Sequence, residues 1–380
     1  MPVIVQKFGG TSVNSMEKRV KVLNKIIAAR NKGYDIVVVV SAMGRSGEPY
    51  ATDTLLYLLK SVSSSPLARN KDLLASCGEI ITTCILAQAL EERGYPAVAM
   101  TGFQAGIITN GNFTNAEIKH IDTGKIKKAH SEGHIVVVAG FQGWTDEKDV
   151  TTLGRGGSDT TAIALGGALA AEQTEIYTDV PGIAFTDPRL MPQTPYLKSI
   201  DYEPMYILAR AGASVIHPRA VKTAIKYKSS FVVRSTFTEE EGTLIGKPGE
   251  SFGGLYGMAL TKGVYILKIA TNDAEGKWRK MAVDELFYQT VDGRCTLAVQ
   301  GVPKLSEIRD ASYEISPLCD LLTVVWNEDT EINFCTIQEL LQSAGIKPQG
   351  HFHFSSGAAW AVSAGQSESA METVFAVFVG

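Results

Sequence analysis

The strongest constraint on this chain is a series of short β-branched runs that show no polar alternation. Residues 36–40 read IVVVV and residues 135–139 read IVVVA. A strand with one wet face alternates apolar and polar side chains. A run that is apolar at every position needs cover on both faces, the condition of a parallel sheet built from β-α-β units. Runs at 3–8, 97–100, 176–178 and 231–234 extend the series, with helical patterns between them. The clearest of these patterns spans about 15–32. Met16, Val20, Leu23 and Ile27 share one face there, Asn14 and Glu17 have capping-box spacing, and Gly33 supplies a stop. The expected architecture is a three-layer α/β fold.

The texture changes between 242 and 254, where Gly246, Lys247, Pro248, Gly249, Gly253 and Gly254 cluster, so a domain boundary is expected near residue 248. Beyond it, strand patterns at 264–269, 295–299, 321–326 and 358–362 mix with short helices at 336–343 and 369–375. That order fits two weak β-α-β-β units, a ferredoxin-like arrangement. At 380 residues the chain has room for two or three domains.

Charge narrows the partners. Lys and Arg total 36 against 40 Asp and Glu, and the longest like-charge run is Glu239, Glu240 and Glu241. With no basic stripe to release counterions, a nucleic-acid partner is not expected. Apolar runs fall short of the ~20 residues that span a bilayer, and Lys7 interrupts the N-terminal run. No membrane association and a cytoplasmic location are therefore expected. The five cysteines lie at scattered spacings, and His351 and His353 share a strand face with no acidic or thiol cluster beside them. No metal site of the protein's own is expected.

Neither G-x-x-x-x-G-K-[ST] nor a strand-to-helix G-x-G-x-x-G occurs, so a phosphate site must be built otherwise. The first strand runs into Lys7, Phe8, Gly9, Gly10, Thr11 and Ser12 and then into a helix, which sets a cation, bare amides and hydroxyls at a positive helix end. A simple glycine turn would also explain that segment. A denser cluster runs from Thr151 to Thr161 (TTLGRGGSDTT) and opens a small-residue helix. A helix cap accounts for Ser158 and Asp159 but leaves Arg155, set between glycines, without a reason. A guanidinium there offers a bidentate fork to a carboxylate. Ser41 to Gly44 and Gly140 to Gly143 also end strands, and Glu79 is a further polar anchor. Ligands of open parallel sheets bind at carboxyl ends of strands, so these segments sum to one cleft for phosphate and a small anionic substrate.

The residues resemble the aspartate kinases of the amino acid kinase superfamily. The matching strings are VQKFGGTSV from Val5, VVVSAMG from Val38, CGE from Cys77, VAGFQG from Val138, TTLGRGGSDTTA from Thr151, YTDV from Tyr177, DPR from Asp187, HPR from His217 and GTLI from Gly242. The resemblance implies an αβα sandwich with a mainly parallel sheet over 1–247, the catalytic domain. It implies a ferredoxin-like ACT-type region over 248–380 that joins subunits into a homo-oligomer. The implied reaction is transfer of the ATP γ-phosphoryl group to the side-chain carboxylate of L-aspartate, with Mg²⁺ carried by the nucleotide, opening lysine, threonine and methionine synthesis. It further implies that Lys7, Asp159 and Arg155 are catalytic, and that Ser41, Thr52, Glu79, Arg155 and Ser158 hold aspartate. Lys7, Gly9, Gly10, Ser12, Gly156, Gly157, Tyr177, Thr178, Asp179 and Arg189 would face the nucleotide.

This sequence also departs from the family pattern. A family lysine is Ser214, and the segment from Pro181 to Phe185 is altered. The stretch 269–283 is short for the first ACT helix, Asn327, Glu328 and Asp329 replace an expected turn, and Val283, Asp284 and Gln289 resemble an effector-loop strand. A dimerising role is expected there rather than feedback control. Two other readings are a kinase for a different amino-acid carboxylate and a catalytically weak scaffold subunit.

Overall fold

The computed structural model describes residues 1–213, 215–249, 251–270, 284–291, 294–300 and 312–380. The chain forms two compact units, Met1–Ile183 with Val215–Lys247, and Ala184–Ser214 with Pro248–Gly380. Residues 184–214, which the sequence reading keeps with the first domain, thus pack with the second. Phe185 is one of that unit's core side chains beside Leu255 and Phe375, and its carbonyl accepts from the Met258 N–H at 2.9 Å.

The strands of the first unit are β1 (Val3–Phe8), β2 (Asp35–Val40), β3 (Ala97–Met100), β4 (Ile107–Thr109), β5 (Ile118–Ile121), β6 (Ile135–Ala139), β7 (Gln142–Trp144), β8 (Val150–Thr152) and β9 (Gln173–Thr178); β10 (Ser199–Ile200) belongs to the second unit, and β11 (Phe231–Ser235) and β12 (Thr243–Ile245) complete the first. Within this unit the main sheet runs β12-β11-β9-β1-β2-β6-β3. It is parallel except for β12 against β11. A smaller sheet runs β5-β4-β7-β8. Every residue of β2 is buried, as its unbroken apolar run requires, and each such Val or Ile stabilises the fold by about 1.5–3 kcal/mol.

The helices are α1 (Gly10–Val13), α2 (Met16–Asn31), α3 (Thr52–Val62), α4 (Ala68–Ala75), α5 (Cys77–Glu91), α6 (Gly124–Ser131), α7 (Gly157–Ala168), α8 (Tyr202–Arg210, second unit) and α9 (Pro218–Tyr227). On α2 the buried residues are Val22, Leu23, Ile26 and Ala29, whereas Met16 is 76% and Val20 38% exposed. The packed face is therefore rotated from the one read in sequence. Its cap is Ser15, whose hydroxyl accepts from the Lys18 N–H at 3.3 Å, and not Asn14. By length and composition the stretch Ala68–Glu91 could cross a membrane. Leu86, Ala87 and Leu90 on it are instead core residues of the first unit.

Among the described residues of the second unit, β13 (Leu255–Ala270), β14 (Asp284–Val291), β15 (Arg294–Gln300), β16 (Ser312–Ile315), β17 (Cys319–Trp326), β18 (Gly350–Phe354) and β19 (Gly357–Ser363) form an antiparallel sheet. Its order is β14-β15-β13-β17-β19-β18, with β16 beside β13. Two helices, α10 (Phe334–Ser343) and α11 (Ser367–Phe378), bring Ile337, Leu341, Met371 and Phe375 into one core with Trp360. Asn333 caps α10 through a capping box with Thr336. His351 and His353 share a face of β18 and both rings lie against Phe334, at 4.9 and 4.3 Å between centroids. Of the ACT-type features read in sequence, most of the stretch 269–283, Val283 included, lies outside the described residues; Gln289 lies in β14.

Candidate active site

Lys7 leaves the end of β1 flanked by β2 and β9, in register with Val39 and Ile176. Its ammonium is 2.6 Å from Oδ1 of Asp159, and both side chains are nearly covered. Asp159 sits in the first turn of α7, where the helix dipole favours a carboxylate. The pair lines a cavity of about 470 Å³. Ten of the residues singled out in sequence line it together: Lys7, Gly10, Ser41, Thr52, Glu79, Arg155, Gly156, Gly157, Ser158 and Asp159. Lys7 and Arg155, far apart in the chain, thus meet at one hollow.

Two close approaches shape the walls. A Cβ on Gly10 would lie 2.4 Å from the Ala42 carbonyl oxygen, so only glycine lets the strand-end turn press against the residues after β2. Gly78 does the same for α5, since a Cβ there would meet the Ala42 side chain at 2.7 Å and the Tyr50 carbonyl at 2.8 Å. This contact brings Glu79 to the cavity. Its Oε1 accepts from the Ala42 N–H at 2.9 Å, its Oε2 is buried with no hydrogen-bond partner, and the residue is only 2% exposed. Burial pushes its carboxyl up to about 8, against the pull of the Ala42 and Glu79 backbone amides. A buried carboxyl with one idle oxygen suits a cationic guest. Arg155 is exposed and has no hydrogen bond or ion pair among the described residues. Its guanidinium is free for an anionic guest.

Six expected residues do not line the cavity. Gly9 lies beside it, 3.6 Å from the Lys7 ammonium by its Cβ position. The Ser12 hydroxyl is buried against that of Thr236 at 2.7 Å. Tyr177 pairs in register with Phe8 and not Lys7, and alternation sends its ring to the other face of the sheet. There it stacks on Phe8 at 4.8 Å and donates to Oε2 of Glu175 at 3.1 Å. With Gln6, Lys25 and Arg234 it lines a separate cavity of about 260 Å³. Thr178 donates to Asp179 at 3.2 Å, and Asp179 pairs with Arg45 at 3.3 Å. Arg189 belongs to the second unit, in a fork with Asp187.

The structure adds Ala42, Gly44, Phe141 and Gly154 to the lining. All four fall in strings flagged in sequence. Phe141 holds φ at +67°, a conformation that no composition signal announces for a phenylalanine. Ser214, where the family lysine is missing, lies outside the described residues. Two arginines close to it in the chain, Arg210 and Arg219, are both engaged elsewhere. Arg219 donates to the Leu153 carbonyl and to Asn115, and Arg210, in the second unit, lies over the rings of Tyr206 and Phe287.

The chain is similar in sequence and fold to known proteins. An aspartokinase of Bacillus sp. (strain MGA3) is 52% identical over 245 residues, 64% of this chain and 58% of that protein. Aspartokinase 2 of Bacillus subtilis is 51% identical over the same length, 59% of its own chain. The chain therefore spans less than two thirds of the curated relatives it matches. Among solved structures, aspartokinase III of E. coli in complex with aspartate and ADP superposes with a TM-score of 0.79 over 98% of this chain and 99% of its own, at 21% identity, a likeness of fold. The aspartate kinase from Synechocystis gives 0.58 at 29% identity, over 99% of this chain and 69% of its own. The sequence model of the amino acid kinase family matches residues 2–235. With that match over more than half its length, the chain belongs to the amino acid kinase family.

Proposed function

We propose that the chain is an aspartate kinase, moving the γ-phosphoryl group of ATP onto the side-chain carboxylate of L-aspartate to give 4-phospho-L-aspartate. The observation that carries this reading is one cavity holding the unpaired Arg155 guanidinium, the Lys7 ammonium paired with Asp159, and a buried carboxyl with an idle oxygen. An amino acid with two carboxylates and one ammonium complements that set. Arg155 would take a carboxylate and Glu79 the ammonium, with Ser41, Thr52 and Ser158 as polar walls. Lys7 would meet the transferring phosphoryl group, with the backbone at Gly9, Gly10, Gly156 and Gly157 beside the phosphates.

Chemically little else is needed. The acceptor carboxylate is ionised at neutral pH, so its oxygen forms the bond to phosphorus as the bond to the ADP oxygen breaks, and no general base takes a proton. Positioning and charge neutralisation remain as the protein's task. Magnesium, arriving with the nucleotide, would supply further charge neutralisation, and Asp159, once parted from Lys7, would be the carboxylate to hold it. The same reading places the enzyme in the cytoplasm as a homo-oligomer joined through its second unit.

The test is incubation with Mg-ATP and a panel of acidic amino acids, trapping acyl phosphate with hydroxylamine. Aspartate gives hydroxamate in the wild type, and Lys7→Ala lowers kcat by about 10²–10³-fold. No hydroxamate from aspartate refutes the proposal.

A further inference from the structure

We propose that Arg219 is a positioning residue that aims Arg155, acting through the backbone turn that carries it. The side chain of Arg155 has no internal partner, so its direction is set by the turn from Leu153 to Gly157. Arg219, in the first turn of α9, holds that turn. Its Nη1 donates to the Leu153 carbonyl and, at 3.2 Å, to the Ala116 carbonyl, while Nη2 donates to Oδ1 of Asn115. All three acceptors are neutral oxygens, so the guanidinium makes no ion pair there and acts as a planar fork across two backbone segments.

The same two segments are also held by Asp72 from α4, which is 1% exposed. Its carboxylate accepts from the Thr114 N–H at 2.8 Å, the Thr152 N–H at 2.8 Å and the Thr152 hydroxyl at 2.7 Å. Residues 114–116 and 152–153, themselves joined by the Ala116 N–H to the Thr152 carbonyl at 2.9 Å, are therefore gripped between a carboxylate and a guanidinium. His217, the cap of α9, closes the grip. Its Nδ1 accepts from the Arg219 N–H at 3.2 Å, and its Cβ stands 2.4 Å from where a Cβ on Gly156 would be. The turn that carries Arg155 is thus bonded to α9 at Leu153 and packed against its cap at Gly156.

In functional terms this rests on the aspartate kinase reading, in which Arg155 binds the acceptor's carboxylate. Misplacing a binding group by about 1 Å costs up to ~100-fold in rate. Arg219→Lys keeps the charge but cannot span both segments. It is expected to raise the KM for aspartate about tenfold while the KM for ATP stays within about twofold. Peptide-resolved hydrogen exchange over 150–158 is expected to quicken about tenfold, with 36–40 unchanged. Should that variant fail to fold, Asn115→Ala removes one acceptor of the same fork and is expected to give the same pattern at about threefold.

Unchanged exchange over 150–158 overturns the grip, whatever the substrate. Faster exchange with equal rises in both KM values, or with neither raised, overturns the aiming role. A wild type that does not turn over aspartate counts against the functional proposal alone, and the exchange measurement then decides the grip by itself.

Discussion

Replacing Glu79 by glutamine has an effect that can be worked out from the site. In the fold its carboxyl is pushed up to about 8 from an ordinary value of 4.5. A carboxyl raised on folding holds its proton longer in the native state, so its contribution is complete below pH 4.5 and is lost progressively as pH rises to about 8. With those two values, the proton this group keeps in the fold but sheds on unfolding costs stability roughly 1 kcal/mol at pH 5 and roughly 3 kcal/mol at pH 7, a difference of about 2 kcal/mol. Glutamine keeps an oxygen for the Ala42 N–H and carries no titrating proton. Urea unfolding of the first unit, followed by hydrogen exchange in β1 and β2, should therefore show wild type losing about 2 kcal/mol more than Glu79→Gln between pH 5 and 7. Parallel pH profiles would refute the reasoning. Binding has its own signature. An ammonium seated on the idle oxygen favours the ionised carboxylate, so aspartate binding at pH 7 should release most of one proton. Calorimetry in buffers of different ionisation enthalpy reads that number, and zero release means the ammonium lies elsewhere.

Two further substitutions test the walls and the reverse face of the sheet. Gly10→Ala puts a methyl 2.4 Å from the Ala42 carbonyl; it should destabilise the chain by about 1–3 kcal/mol and lower kcat/KM, and a melting curve that overlays wild type would contradict the close approach. Tyr177→Phe removes one buried hydrogen bond to Glu175, so stability should fall by about 1 kcal/mol while the KM for ATP holds within about twofold, and a tenfold rise in that KM would place the ring at the nucleotide after all.

The sheet was legible because its evidence is local. An apolar run such as 36–40 has few other ways to be buried, and a glycine or serine just after it marks the ligand-binding end. The helix face of α2 was not legible, because the eye counts large apolar residues: Met16 and Val20 drew the stripe, while Ala29, which permits close packing, carries little weight in such a count. Single exposed apolar side chains are common enough to mislead in this way. Tyr177 shows another limit. The string YTDV marks a strand end, yet one position of register decides which face a side chain takes. The idle oxygen of Glu79 and the fork of Arg219 depend on burial and on partners 37 to 104 residues away, and no local pattern encodes those.

The short contact between Lys7 and Asp159 bears on which visitors the hollow retains. An ammonium already engaged by a carboxylate offers little to a stray chloride or lone inorganic phosphate, since such an ion would have to displace a tethered rival. A polyphosphate reaching several neighbouring amides at once offsets that exchange, and if it brings its own divalent ion the released carboxylate also gains a partner. Internal pairing of this kind acts as a filter, discriminating by how many contacts a guest completes together rather than by how much charge it bears.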